Sequence, residues 1–361
     1  MLDLTTEPSS HGGLLDDELA ALGATPDEVL DVSANVNPYG PCPAVRGALA
    51  CARIDRYPDP HATAARRVFA ERAGVAADRV AIGNGAVDLM WTLARAVLRP
   101  GARALVVEPA FSEMRAAAER VGASVVELRT TPERDFVIDL GALDAAIATH
   151  SPRLVYACSP QNPAGVCTPL VAFEELARRH PQSLFVVDVS FLSLSARHSE
   201  LAEPRDPRVV WLRSLTKDHA LAGLRVGAAI APSHVVAAID RERPPWSVNA
   251  LAQAAVIAST TDEAACFVDQ SRARLLADRD ALTTGLCALD LHVHPSDTVY
   301  VLVSLRGGLA ATDLRRRLLE RRRVLVRDAA SFGLPHHVRI AARGAEQRER
   351  LVAALREELW T

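Results

Sequence analysis

The chain has 361 residues, an apolar fraction of 49% and a formal net charge of −3. That balance describes a globular, enzyme-sized chain of one large or two moderate domains with a substantial core. It excludes the positive surplus of a polyanion-binding protein. No apolar run approaches the ~18 residues needed to span a bilayer, so neither nucleic acid nor membrane is expected as a partner. The six cysteines, at 42, 51, 158, 167, 266 and 287, form no CxxC pair and no Cys/His cluster, so no metal site is expected and buried free thiols are.

The first residues carry Asp3, Glu7, Asp16, Asp17 and Glu18 and no charged-then-apolar leader, which makes the cytoplasm the expected location. Beyond them, short apolar runs alternate with helical periodicity, the pattern of an α/β fold with a parallel or mixed sheet. The spacing predicts helix at 62–73, strand at 80–82, helix at 86–98, strand at 104–107, helix at 112–121 and strand at 124–128. Helix at 141–149, strand at 154–157, helix at 170–180 and strands at 184–187, 209–212 and 226–230 follow. A break at Pro244-Pro245-Trp246 precedes helical stretches at 249–260 and 264–288. Strands near 299–305 and 338–342, with helices near 311–322 and 345–358, complete the chain. These elements divide into a large sheet domain, 45–245, and a smaller α+β domain, 246–361, joined by the N-terminal arm, 1–44. The basic run Arg315 to Arg327 has the period of a solvated amphipathic helix entering a strand, which is preferred over a nucleic-acid patch.

Of 41 lysines and arginines, only Lys217 is lysine. Arginine replaces lysine wherever a surface cation suffices, but it stays protonated and cannot serve as a nucleophilic amine. The surviving lysine is therefore a candidate for covalent chemistry with a carbonyl compound. It follows the apolar run Val209-Val210-Trp211-Leu212 and is preceded by Ser214 and Thr216, with Arg225 eight residues on between Gly223 and Gly227. A lysine that bonds an aldehyde, with Ser214, Thr216 and Arg225 on a phosphate, suits a phosphorylated aldehyde cofactor. The turn Gly83-Asn84-Gly85-Ala86 links a strand to a helix, and the amides of Gly85 and Ala86 could cradle the same phosphate. Asp188 ends the apolar strand Leu184 to Val187, where a carboxylate is costly unless paired. A protonated ring nitrogen would pair it. Near the C-terminus, Arg327, Arg339 and Arg343 offer forks for carboxylate or phosphate; Arg343 is expected to begin a helix and face water.

The segment Ser214-Leu215-Thr216-Lys217, with Gly223-Leu224-Arg225-Val226-Gly227, resembles the cofactor-lysine region of pyridoxal phosphate enzymes of the aspartate aminotransferase fold. That resemblance implies a fold-type I α/β architecture: a large domain with a mostly parallel seven-stranded sheet plus a smaller α+β domain. It implies pyridoxal 5'-phosphate as cofactor. It also places Phe111 over the pyridine ring, and Asn162 of Asn162-Pro163-Ala164-Gly165 on the phenolic oxygen. Tyr57 of Arg56-Tyr57-Pro58-Asp59 would reach the phosphate of the neighbouring subunit, which requires a homodimer. Arg339, then Arg327, would grip the substrate's acidic group. One departure is Asp188-Val189-Ser190-Phe191, where the family usually has Asp-Glu-Ala-Tyr or Asp-Glu-Ala-Phe. Phe191 offers no hydroxyl, which leaves more of the phenolic-oxygen contact to Asn162.

Residues 31–43 and 56–59 are similar to the histidinol-phosphate aminotransferase branch of histidine biosynthesis. A sister group there is the threonine-phosphate decarboxylase of cobalamin biosynthesis. His11-Gly12-Gly13, Phe191 and the stretch 326–343 lean towards that group. The expectation is an aminotransferase exchanging an amino group between a small phosphorylated amine and 2-oxoglutarate or glutamate, with the decarboxylase as alternative. A non-catalytic regulatory relative is the third reading, and the retained lysine argues against it. Transamination and decarboxylation differ in which bond at the substrate's α-carbon stands perpendicular to the ring. Arg339, Arg327, His11 and Asn37 are the residues expected to set that rotation.

Overall fold

The computed structural model describes residues 12–201 and 203–359. Two compact units divide the chain. One combines the N-terminal segment through Asn35 with Asp278–His294 and the stretch from Tyr300 onward; the other holds Val36–Ala277 and Pro295–Val299. The change of unit after residue 245 expected from sequence falls instead at Ala277, inside the helix Asp262–Cys287. Packing explains the shift. Helix Ala250–Ser259 buries Ala252, Ala255 and Val256 in one cluster with Val45 of helix Pro43–Ala50 and with Ala65 and Phe69 of helix Thr63–Ala73.

The larger unit is built on a seven-stranded sheet. Its strands are β1 (Val80–Gly83), β2 (Arg103–Glu108), β3 (Ser124–Arg129), β4 (Leu154–Cys158), β5 (Leu184–Asp188), β6 (Val209–Ser214) and β7 (Gly227–Ile230). The spatial order is β1-β7-β6-β5-β4-β2-β3, and only β7 runs antiparallel to its neighbours. Near-continuous apolar runs form these strands because both sheet faces are covered. On one face Val106, Tyr156, Val186 and Val210 pack with helices Ala86–Val97, Glu113–Arg120 and Ser233–Glu242. On the other, Leu105, Val155, Val187 and Trp211 pack with helices Leu140–His150 and Leu170–Arg179. The alternation follows the two-residue period of a strand. With both faces filled, the carboxyl edge of the parallel strands is the natural place for a ligand.

The smaller unit carries β8 (His292–Val293), β9 (Tyr300–Ser304), β10 (Arg327–Asp328) and β11 (His337–Ala341), antiparallel in the order β10-β11-β9-β8. Helices Ala311–Arg322 and Ala345–Leu359 bury Leu314, Leu318, Leu351 and Leu355 against Val301, Val303, Val338 and Ile340. The basic run ends the first of these helices, and carboxylates of the same unit meet its arginines. Arg315 pairs with Glu18, Arg316 with Glu320, and Arg322 with Glu357 and Glu358.

The cysteines correct one expectation. Cys42, Cys158 and Cys167 are buried free thiols, but Cys51, Cys266 and Cys287 are exposed. Each of the latter sits on a helix or at its end, on the face turned from the core. Among the described residues no helix is long and apolar enough to cross a membrane.

Candidate functional site

At the end of β1 the chain turns through Gly85, whose φ of +86° suits glycine, into the twelve-residue helix Ala86–Val97. A Cβ on Gly85 would lie 3.0 Å from Arg225 Nη2, and one on Gly227 would lie 2.5 Å from the Ala86 amide nitrogen. Bare backbone at both positions thus brings together a helix N-terminus, the start of β7 and a guanidinium. Gly227 is the register partner of Ser214, whose Oγ lies 2.5 Å from Thr216 Oγ1. An amide, two hydroxyls and an arginine gather at one end of three adjacent strands. That donor set fits a phosphate.

On the next strand, Asp188 closes β5 between Leu212 of β6 and Cys158 of β4. It is buried at 9% exposure. Its carboxylate accepts from the Ser190 amide at 2.9 Å and from the Tyr156 hydroxyl at 3.4 Å. Burial raises its pKa above the usual aspartate value, against the pull of Ser190, Tyr156 and the Lys217 charge. The surroundings therefore under-compensate a buried negative charge, which fits a cationic ring N–H arriving with a ligand.

Lys217 occupies the helical turn Leu215–Asp218 that follows β6 directly. Its Nζ lies 6.0 Å from the centre of the Phe191 ring. The backbone here is clamped by Asn37, whose amide N–H donates to the Lys217 carbonyl and whose Nδ2 donates to the Asp218 carbonyl, both at 2.9 Å. Asn37 Oδ1 accepts from the Tyr39 amide at 3.1 Å. Both ends of the Asn37 side chain are thus engaged with backbone, which clamps the lysine turn.

Phe111 follows β2 and packs partly buried on the core, while Asn162 heads a turn closed by the Gly165 amide on the Gln161 carbonyl at 2.6 Å. Three supporting residues escaped the sequence reading. Tyr156 and Cys158 lie two apart on β4, hence on one face, and the Cys158 thiol donates to Tyr156 Oη at 3.4 Å. The Phe111 backbone amide bonds the Cys158 sulfur, and burial pushes that thiol up to about 12. Gln161 Nε2 donates to the Pro109 carbonyl and Thr130 Oγ1, tying the loops that carry Phe111 and Asn162. A glutamine beside the asparagine was the one available signal. Tyr57 does not join this edge. It is 80% exposed and its ring lies 4.9 Å from that of Trp246.

In the smaller unit Arg327 and Arg339 are direct cross-strand partners on β10 and β11. Arg339 is buried, donates to the Ser33 carbonyl at 2.7 Å and stands over the Tyr300 ring. Burial pulls its pKa down to about 10. Arg327 donates to Ser331 Oγ at 2.7 Å and is likewise pulled below the ordinary value by burial. Like charges directly opposite on a sheet are unfavourable, and a bound anion relieves them. A Cβ on Gly12 would lie 3.5 Å from Arg327 Cδ, so the chain passes close to that arginine. His11 lies outside the described residues. Arg343 corrects the expectation that it faces water: it is buried and donates to the carbonyls of Asp31 and Ala34. Those acceptors come from the N-terminal segment, which no local pattern around Arg343 reveals.

Residues 27–355 match the family model described as aminotransferase class I and II. The chain belongs to this family. Among its curated members, the histidinol-phosphate aminotransferase of Moorella thermoacetica is 33% identical over 99% of this chain and 92% of its own length. Among solved structures, the Sinorhizobium meliloti histidinol-phosphate aminotransferase, solved with pyridoxal-5'-phosphate, superposes with a TM-score of 0.86 over 98% of this chain and 96% of that one, at 23% identity. The L-threonine-O-3-phosphate decarboxylase of Porphyromonas gingivalis gives 0.78 over 92% of this chain and all of that one (100%), at 26% identity. The architecture is that of a fold-type I aminotransferase.

Proposed function

We propose that the protein is a pyridoxal 5'-phosphate-dependent aminotransferase that moves an amino group between histidinol phosphate and 2-oxoglutarate. The observation that carries the reading is the carboxyl edge of β5 and β6, where a buried, under-compensated carboxylate and the chain's single lysine end adjacent strands. The likeness to histidinol-phosphate aminotransferases over nearly the whole chain supports the choice of amine.

Pyridoxal 5'-phosphate, when bound, supplies an aldehyde that takes up amines and a ring that accepts electrons from the carbon bearing the amine. Gly85, Ala86, Ser214, Thr216 and Arg225 would hold its phosphate. Asp188 would keep the proton on the ring nitrogen, Asn162 would donate to the phenolic oxygen and Phe111 would shield one ring face. Lys217 Nζ would be the amine that holds the cofactor's aldehyde and, when freed by an incoming amine, the base that takes up and returns a proton at the substrate's amine-bearing carbon. Arg339 and Arg327 bind the phosphate of histidinol phosphate and, in the return half, a carboxylate of the oxo acid. Histidinol phosphate has no carboxylate to lose, so proton transfer is the one course open to it.

The enzyme acts as a cytoplasmic homodimer in this reading, with Tyr57 completing the phosphate site of the partner subunit. Its surface exposure beside Trp246 supports that. Tyr57→Phe should then weaken cofactor binding by about tenfold, the worth of one hydrogen bond to a charged group. Unaltered affinity would remove this contact.

The deciding experiment follows the visible spectrum of the purified enzyme. Glutamate should bleach the band of the lysine-held cofactor, 2-oxoglutarate should restore it, and histidinol phosphate should bleach it again. A band indifferent to glutamate, with CO₂ released from threonine phosphate, would replace the proposal by a decarboxylase. The similarity to the Porphyromonas enzyme makes that the second reading.

A further inference from the structure

A cavity of about 260 Å³ lies within the larger unit and is lined by residues on both sides of Lys217. Arg213 and Ser214 are consecutive on β6 and so point to opposite faces; Ser214 serves the phosphate cradle, whereas Arg213 lines this cavity. Asp218 and His219 line it too, immediately after the lysine.

Two wall residues are buried polar groups with unused bonding capacity. His219, 7% exposed, leaves Nδ1 without a hydrogen-bond partner among the described residues, and Ser259, 8% exposed, leaves Oγ without one. Such atoms are costly in a folded chain unless something polar meets them. Arg213 adds an ill-matched charge. Its guanidinium stands 5.3 Å above the Phe69 ring, and its ion pair with Asp218 is long, at 4.0 Å. Asp218 is committed elsewhere, accepting from Ser193 Oγ at 2.8 Å and from the His219 amide at 3.0 Å. Burial pulls Arg213 below the ordinary arginine pKa, as expected of a guanidinium short of a counter-charge.

We propose that this cavity is a second anion site, taking a small carboxylate or phosphate with Arg213 as charge partner and His219 and Ser259 as hydrogen-bond partners. An anion on Arg213 replaces the long contact to Asp218. Because Asp218 adjoins Lys217 and Arg213 adjoins Ser214, occupancy is felt at the lysine turn, which makes the cavity an effector site. It does not depend on which amine is the substrate.

The test is calorimetric titration of the cofactor-loaded enzyme with inorganic phosphate and, separately, with succinate, in wild type, Arg213→Gln and Ser259→Met. The methionine fills the cavity without touching the cradle. Wild type should bind one of these anions in excess of what the variants bind, with affinity for it reduced about tenfold or more in each variant. That same anion should move the pH midpoint of the cofactor's visible band further in wild type than in Ser259→Met, where Arg339 and Arg327 remain to bind it; an equal shift in both would overturn the proposal. The arm that responds identifies the head group as phosphate or carboxylate. Equal stoichiometry and affinity in all three proteins would overturn the proposal, as would a wild-type midpoint that neither anion moves. If Arg213→Gln fails to retain cofactor, Ser259→Met decides alone.

Discussion

At the carboxyl edge of the large sheet a carboxylate, Asp188, is buried with its pKa pushed up. On β10 and β11 two guanidiniums, Arg327 and Arg339, are buried with theirs pulled down. Desolvation acts on both, with opposite sign. The edge is eased by a cation and the arginine pair by an anion, so the two regions select opposite ends of the chemistry. In the proposed function the edge would serve the cofactor, through its ring nitrogen and phosphate, and the arginine pair would serve the acidic group of either substrate.

That division predicts distinct kinetic signatures. Lys217→Ala should have the largest effect: no cofactor fixed to the chain by borohydride, and turnover lower by at least about a thousandfold. Full turnover would sink the assignment of the edge. Asp188→Asn keeps the size and removes the charge; kcat should fall by about a hundredfold and cofactor should bind more weakly. An unchanged enzyme would take Asp188 out of the site. Arg339→Gln should raise KM for histidinol phosphate by about 30-fold with a smaller change in kcat, because a buried charge partner is lost while the edge stays intact. Arg327→Gln should do the same more weakly. A pure kcat defect in either arginine variant would dissolve the contrast between the regions. Thermal melting belongs beside the Arg339 measurement, since that side chain also holds the Ser33 carbonyl.

Asp188 and Lys217 were singled out in sequence because they follow apolar runs and sit in distinctive local motifs, whereas Tyr156, Cys158 and Gln161 were not. Val209–Ser214 and Leu184–Asp188 extend the predicted strands by a residue or two and keep their order. Two helices were not foreseen: Pro43–Ala50 follows the turn-like stretch Pro38 to Pro43, and only Ala231 and Pro232 separate Ser233–Glu242 from β7. Arg343 was misjudged because its acceptors are carbonyls at the other end of the chain. Asn37 was read as a substrate contact, and its contacts with the backbone of residues 39 and 218 could not be read from the local sequence. The cavity beside Lys217 left no trace in sequence, since Phe69, Arg213, His219 and Ser259 meet only in the folded unit.

Arg225 sits at φ +52°, a left-handed conformation in which any side chain bearing a Cβ is strained by roughly 1–2 kcal/mol. Glycine would relieve that strain and return part of the gain through the entropy of the unfolded chain, a net benefit of up to about 1 kcal/mol. The easiest turn to fold is thus not the one this chain uses. Arg225→Gly should melt no earlier than the parent, or slightly later, while releasing cofactor more readily. Selection for heat tolerance alone would push this position away from arginine, and selection for retained catalysis would push it back.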